Sequence, residues 1–466
     1  MKSSIYTKYY PQFLLIIIAF TFFTRMIRLH VPEEYVFDEV YHAVTAKLIS
    51  RNDIRAYEWN NPPPEPDTAV DWLHPPFAKY TQAISIKIFG ENSFGWRFSS
   101  VIFGCLVILL TAKIAEELFD DKPLALISAF LVSLDGLVFT MSRIAMNDIH
   151  VTAFILLSFL MYLKFLNSKR KITKFLFFSG IAAGIAVGTK WSGAFIIGII
   201  SVFEGIQIIK EFIKTKNRFI NKNLSKTIKQ IISSAIALII IPIILYILSY
   251  SHMFLQGKDF SHLIEMHKNT WWYQTNLTAT HPAQSTPIQW FLNTKPVWVS
   301  VEYTNKHFRA DIYAVGNPIL FWIADIFILI TLFTLFFRII FKKHQQYNFI
   351  GKKSRMLSML IITYFALWIP WQLSPRIMFF YHYLPAVPLL VINLSFWLKK
   401  IFDSNKIFSL KLGKKKIIFK LSKIAPILIL LIFINFLIWY PHLTLIPVPI
   451  EWKDNLYFFF DFWKQA

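Results

Sequence analysis

The stretch that decides the fold runs from Phe37 to Lys79: FDEVYH at 37–42, a polar run ending in NNPPPEPD at 60–67, then DWLHPPFAK at 71–79. Apolar sequence precedes it from Pro11 to Leu29 and dominates the chain from Phe94 onward. An adjacent carboxylate pair, Asp38 and Glu39, therefore follows the first hydrophobic segment, and Asp71, His74 and Lys79 precede the next. An acidic group in mid-bilayer costs about 2.5–3.5 kcal/mol even on insertion scales. The economical placement is a loop at the membrane face, where carboxylates can ionise and still meet a lipid-borne substrate.

Working outward, composition agrees. The chain has 466 residues, 55% hydrophobic, with 47 Phe, 15 Trp and only 16% charged residues, against about 25% charged in soluble domains. Its single cysteine, Cys105, lies in an apolar run and excludes an intramolecular disulfide framework. No small-residue cleavage site follows Leu29, so the first segment reads as an uncleaved helix.

A span needs about 20 apolar residues. Candidates fall at 11–29, 97–115, 123–141, 145–165, 174–189, 192–209, 230–250, 317–340, 356–372, 378–398 and 424–441. The expected fold is a polytopic all-alpha membrane protein with about eleven transmembrane helices. With the N-terminus inside, the lysine-rich loops around Lys169–Lys174, Lys210–Lys229, Lys342–Arg355 and Lys399–Lys423 all fall on one side, as the positive-inside rule requires. The net charge of +22 is thus a topology signal and not a nucleic-acid footprint.

The opposite side collects loops 30–96 and 251–316, the Arg143–Asp148 junction, the Lys190-Trp191 turn and the Ser374–His382 stretch. Short interfacial helices are expected near Ser251–Leu255 and Ile288–Phe291, and most tryptophans there read as headgroup anchors. Asp38 and Glu39 diverge by about 100° on a helix, so one is expected to face the reaction centre while the other makes structural bonds. A loop carboxylate could act as general base on an acceptor hydroxyl; the bland alternative is a hydrated pair. Lys79, Arg143, Lys190 and Arg376 could form an anion-binding group, although spacing does not place them in one pocket. Asp148 could supply a second carboxylate to the cleft. No P-loop or Rossmann glycine pattern is present. No metal ligand spacing is evident, and a divalent cation stays possible without being indicated.

These motifs resemble the first-loop signature of the protein O-mannosyltransferases, the dolichyl-phosphate-mannose–protein mannosyltransferase family of the GT-C superfamily. The likeness recurs in MSRIAMND at 141–148, GTKWSG at 188–193, HPAQSTPIQW at 281–290, KPVW at 295–298, GNPILFW at 316–322 and WIPWQLSPRIMFFYHYLPAVP at 368–388. The resemblance implies a GT-C fold, with residues 1–400 as a catalytic membrane module whose outer loops are 30–96 and 251–316. Residues 401–466 would add a basic cytoplasmic loop, the last span and a short outer tail. It also implies inverting transfer of mannose from a polyprenyl-phosphate carrier to Ser or Thr hydroxyls of secreted or membrane proteins, at the extracytoplasmic face of a prokaryotic cell membrane. Association with the translocation machinery would follow.

By motif position, Asp38 matches the family's essential loop aspartate and base candidate, with Glu39 its partner and Asp148 the third catalytic carboxylate. Lys79, Arg143, Lys190, Arg376 and His382 match donor or phosphate positions. Asp71, His74, His281 and Trp290 match acceptor-side or structural loop positions. No cofactor and no metal are implied. The departures are the NNPPPEPD insert, Asn147, and a 251–316 segment too short for the beta-trefoil domain of eukaryotic members. Rival readings are a related GT-C enzyme passing another lipid-linked sugar to a lipid or glycan, and a lipid or sugar transporter.

Overall fold

The computed structural model describes residues 5–168, 173–216, 221–303, 305–340, 353–412, 415–458 and 460–464. Among them, eight helices are long and apolar enough to cross a membrane: Ser93–Phe119, Asp148–Asn167, Trp191–Ile213, Thr227–Leu248, Pro318–Ile340, Ser354–Leu373, Phe380–Phe402 and Leu421–Trp439. Three shorter apolar helices, Tyr10–Met26, Lys122–Ser133 and Thr173–Val187, complete the set. Each of the expected spans coincides with one of these. The chain is an integral multi-pass membrane protein. Several residues of the basic loops, including Lys169, Arg170, Lys171, Arg218, Lys342, Lys343, Lys352 and Lys414, lie outside the described residues.

Helix contacts in lipid cannot rely on expelling water, so small residues let backbones approach. Gly180 and Gly184, one turn apart on Thr173–Val187, show this: an added Cβ would stand 1.9 Å from the Ala237 carbonyl oxygen and 2.9 Å from Pro242 Cα. Polar side chains mark several helix starts. Asn92 Oδ1 accepts from Gly95 N at 2.9 Å, and Asp135 Oδ1 from Val138 N at 2.8 Å. Both satisfy amides that the first turn leaves without partners.

Two small antiparallel sheets accompany the helical bundle. Val297–Tyr303 pairs with Phe308–Ala314, which also pairs with Val448–Pro449; Ile407–Leu412 pairs with Lys415–Lys420. The VWVSVEY segment is rich in β-branched and aromatic residues, a composition that suits a pleated surface better than a helix. Pairing to Val448–Pro449 also returns the tail after the last span to this sheet.

Loops 30–96 and 251–316 meet at one end of the bundle. The helix Glu39–Ser50 packs beside Phe77–Phe89. The helix Phe260–Asn276 packs on the segment that joins them: His262 Nε2 is 2.9 Å from the Tyr57 carbonyl oxygen, and the rings of Trp72 and Tyr273 meet edge-on. The expected short helices are Ser251–Leu255 and Pro287–Phe291; Phe260–Asn276 is a longer one that the sequence reading did not separate from its loop.

Candidate active site

The site is built at the start of the Glu39–Ser50 helix. Phe37 sits in left-handed backbone geometry, φ 49°, costly for a bulky side chain. Its ring is held edge-on by His281, Phe379 and Tyr381. The next residue, Asp38, takes the N-cap position, yet its carboxylate makes no cap hydrogen bond. That is unusual for an aspartate at a helix start and leaves the group available. Among the described residues its side-chain hydrogen-bond partner is Tyr381, whose Oη donates to Oδ2 across 3.4 Å.

Glu39 has the opposite surroundings. It is wholly buried and accepts from Val36 N at 3.0 Å, Ala145 N at 2.9 Å, Trp96 Nε1 at 3.3 Å, and Arg97 Nε and Nη2 at 2.9 and 2.8 Å. Arg97 spends its remaining donors on the carbonyls of Leu29, Pro32 and Glu34. This nest ties the first loop to the Ser93–Phe119 helix and to the 141–148 junction.

A second carboxylate, Asp71, gathers three basic side chains. Lys79 Nζ lies 2.6 Å from Oδ2, His42 Nδ1 2.7 Å from Oδ2 and His74 Nδ1 2.9 Å from Oδ1. Burial alone would raise the Asp71 pKa, but His74, Lys79 and His42 together hold it well below the usual range. Burial pushes His74 down to about 4 against the pull of Asp71, so at neutral pH it is neutral. The consecutive prolines set this up: Pro76 is the N-cap of Phe77–Phe89, so Lys79 falls in the first turn, one short reach from Asp71.

The third carboxylate, Asp148, opens the Asp148–Asn167 helix. Lys190 Nζ pairs with its Oδ1 at 2.8 Å and stands 5.3 Å from the Tyr381 ring centroid. Asp148 Oδ2 and the Asn147 amide are buried without partners. Desolvation raises the Asp38 pKa; His42 and Lys190 oppose it, while Asp148 and Asp71 add to it. Asp38, His42, Asp71, Asp148, Lys190 and Tyr381 thus form one electrostatic centre.

The structure divides the expected phosphate ligands. Arg376 lies in the extended piece before the Phe380–Phe402 helix; its Nη1 donates to Gln274 Oε1 and its Nε is buried without a partner. Arg143 is committed elsewhere: it is buried and donates to the carbonyls of Arg25, Ile27 and Arg28. Those are the last carbonyls of the Tyr10–Met26 helix and the turn after it, which lack intrahelical partners. Arg143 therefore caps the first span.

His382 is buried between Trp290, stacked at 6.0 Å, and Trp371, at 4.3 Å, with Nδ1 2.9 Å from the Phe379 carbonyl oxygen. Trp290 is itself fully buried and donates to Ser285 Oγ at 2.8 Å. His281 supports Phe37 and accepts from Ala283 N at 3.0 Å. These three shape the wall of the centre.

Sequence reasoning gave no role to His42, Tyr381, Arg97 or Gln274. His42 could have been found, since it follows Asp38 by one helical turn on the same face. Nothing local announces Arg97 or Gln274.

Comparison with known proteins gives a consistent picture. The model of the family described as dolichyl-phosphate-mannose-protein mannosyltransferase matches residues 15–255, and that of the C-terminal four-span region of protein-O-mannosyltransferase matches 259–450. A polyprenol-phosphate-mannose–protein mannosyltransferase of Mycolicibacterium smegmatis is 28% identical over 218 residues, 42% of this chain and 40% of that protein. The match thus spans less than half of the relative's length. One of the same description from Corynebacterium glutamicum is 24% identical over 383 residues, 69% of each chain. In fold, the chain is similar to the S. cerevisiae protein O-mannosyltransferase Pmt1-Pmt2 complex bound to the sugar donor. The TM-score is 0.75 at 14% identity, covering 94% of this chain and 90% of the other.

Proposed function

Because the chain belongs to the dolichyl-phosphate-mannose–protein mannosyltransferase family, we propose that it moves mannose from a polyprenyl-phosphate donor to Ser or Thr hydroxyls of proteins, at the extracytoplasmic face and with inversion. The observation that carries the reading is the state of Asp38. Among the described residues, Glu39, Asp71 and Asp148 each hold a cation: Glu39 has Arg97 at 2.8 Å, Asp71 has Lys79 at 2.6 Å and Asp148 has Lys190 at 2.8 Å. Asp38 has no such pair. A general base must keep a lone pair for the substrate proton, and a carboxylate already paired is a poorer one.

In this reading the acceptor oxygen attacks the anomeric carbon while Asp38 takes its proton. The new C–O bond forms as the bond from that carbon to the phosphate oxygen breaks, and polyprenyl phosphate leaves with the electron pair. The departing anion needs cations more than a proton donor. Arg376 supplies a guanidinium with an unused Nε, suited to a phosphate, and Lys190 a point charge at the Asp148 edge of the centre. Residues 1–400 would hold this machinery, with 401–466 as the basic cytoplasmic loop, last span and outer tail. Secreted and membrane proteins are the acceptors we propose, reached in a prokaryotic cell membrane beside the translocation machinery.

Purified protein given radiolabelled polyprenyl-phosphate mannose and a Ser/Thr-rich peptide is expected to yield an α- or β-mannosyl peptide of inverted configuration relative to its donor. Label appearing in lipid or glycan and none in peptide would replace this reading with that of a different acceptor.

A further inference from the structure

Three ligand-type atoms, His42 Nδ1, His74 Nδ1 and an Asp71 carboxylate oxygen, lie within 4.8 Å of one another. Two imidazoles and a carboxylate are a donor set that zinc-type ions take, with one position left open. His42 Nδ1 is 2.7 Å from Asp71 Oδ2, and His74 Nδ1 2.9 Å from Oδ1. Both imidazoles thus face the one carboxylate at contact distance. A small cavity lined by Thr45, Tyr57, Asp71, His74, Lys79 and Tyr250 adjoins them.

A cation is already there. Lys79 Nζ is fully buried, 2.6 Å from the same Oδ2, and donates to the His74 carbonyl oxygen at 3.2 Å. An ammonium carried so deep is retained only with a partner. With it, the Asp71 charge is balanced inside the chain. A divalent ion added beside it would leave the buried cluster with two surplus positive charges. Without it, one carboxylate and two imidazoles would face each other uncompensated.

We propose that His42, Asp71 and His74 form a transition-metal-type site whose cation is the tethered ammonium of Lys79. The chain thereby meets its own charge requirement, and removing that ammonium opens the site to a divalent metal. The metal-binding arm of the test is independent of the transfer reaction; only the activity arm rests on the mannosyl-transfer reading.

The test uses full-length protein in nanodiscs, with metal content by mass spectrometry and Co²⁺ as the visible probe. Chelator-treated wild type is expected to bind no Co²⁺ stoichiometrically and to keep its transfer rate within about twofold. Lys79→Met should bind Co²⁺ one to one with tetrahedral-type visible absorption. The double variant Lys79→Met, His42→Ala should lose that absorption, and Lys79→Arg, which keeps the charge, should bind none. A wild type that carries one metal per chain, or loses transfer on chelation and regains it with metal, would overturn the proposal. So would a folded Lys79→Met that binds no cobalt. Should Lys79→Met fail to fold, Lys79→Gln and the wild-type measurement decide the question.

Discussion

Asp38 and Glu39 are adjacent in the chain and chemically near-identical, yet they occupy opposite regions of the molecule. Glu39 points into the nest under the first loop, where five donors, two of them from Arg97, occupy both its oxygens. Asp38 points into the open centre, where it meets one distant tyrosine hydroxyl. A buried carboxylate with every lone pair used is an anchor; one left short of donors retains capacity for a substrate proton. The same contrast separates the two arginines. Arg143 donates to three backbone carbonyls, whereas Arg376 keeps a buried Nε unpaired.

The sharpest way to break the comparison is to neutralise each carboxylate in turn. Asp38→Asn is expected to lose roughly 10²- to 10⁴-fold in turnover, the usual worth of a positioned base, with unchanged thermal stability and donor binding. Glu39→Gln should do the reverse. Leaving Arg97 buried without its counter-charge costs about 3–5 kcal/mol, read as a fall in melting temperature and membrane yield, while the surviving folded fraction turns over near normally. Equal stability loss in both variants would erase the distinction.

The arginine pair gives the next effect. Arg376→Ala should weaken donor binding by roughly 10- to 100-fold, as expected for a hydrogen bond to a charged group. Arg376→Lys should weaken it less, because the point charge remains. Arg143→Lys should leave donor affinity unchanged and lower stability, since one ammonium cannot reach three carbonyls. Donor titration by fluorescence quenching, alongside thermal melts, separates the two.

The smallest effect is a displacement of the pH profile. Desolvation raises the Asp38 pKa, and a base works only when deprotonated. Turnover should therefore fall as pH drops through a point above the ordinary aspartate value of about 3.9. Lys190 opposes that rise, so Lys190→Met should move the acidic limb further up, whatever it does to the maximum rate. A limb that moves down, or stays put, would show that Lys190 does not act on the titrating group.

The spans were legible because a bilayer imposes a length and a composition that a linear sequence must display. Clustering of the outer loops was legible in part, since polar residues collect between spans on alternate sides. Two expectations yielded to packing. Arg143 sits beside Asp148 in sequence, and local reading gave it a phosphate; the carbonyls it caps come from residues 25–28, over a hundred positions away. The VWVSVEY strand lay inside a loop read for tryptophan anchors, and its partner became evident only through pairing with FRADIYA.

The sequence by itself determined the membrane character, the number and order of the apolar helices, and the short motifs that carry the acids and bases. It also established that Asp38 and Glu39 must diverge, because one residue of helix turns a side chain by about 100°. Tertiary structure alone decided which of them is the anchor, which arginine caps the first span, and that His42 joins Asp71, His74 and Lys79. The reason is physical: whether a charged group serves as anchor or reactant depends on how many donors and cations surround it. Those neighbours are brought from distant segments by packing, which no local pattern encodes.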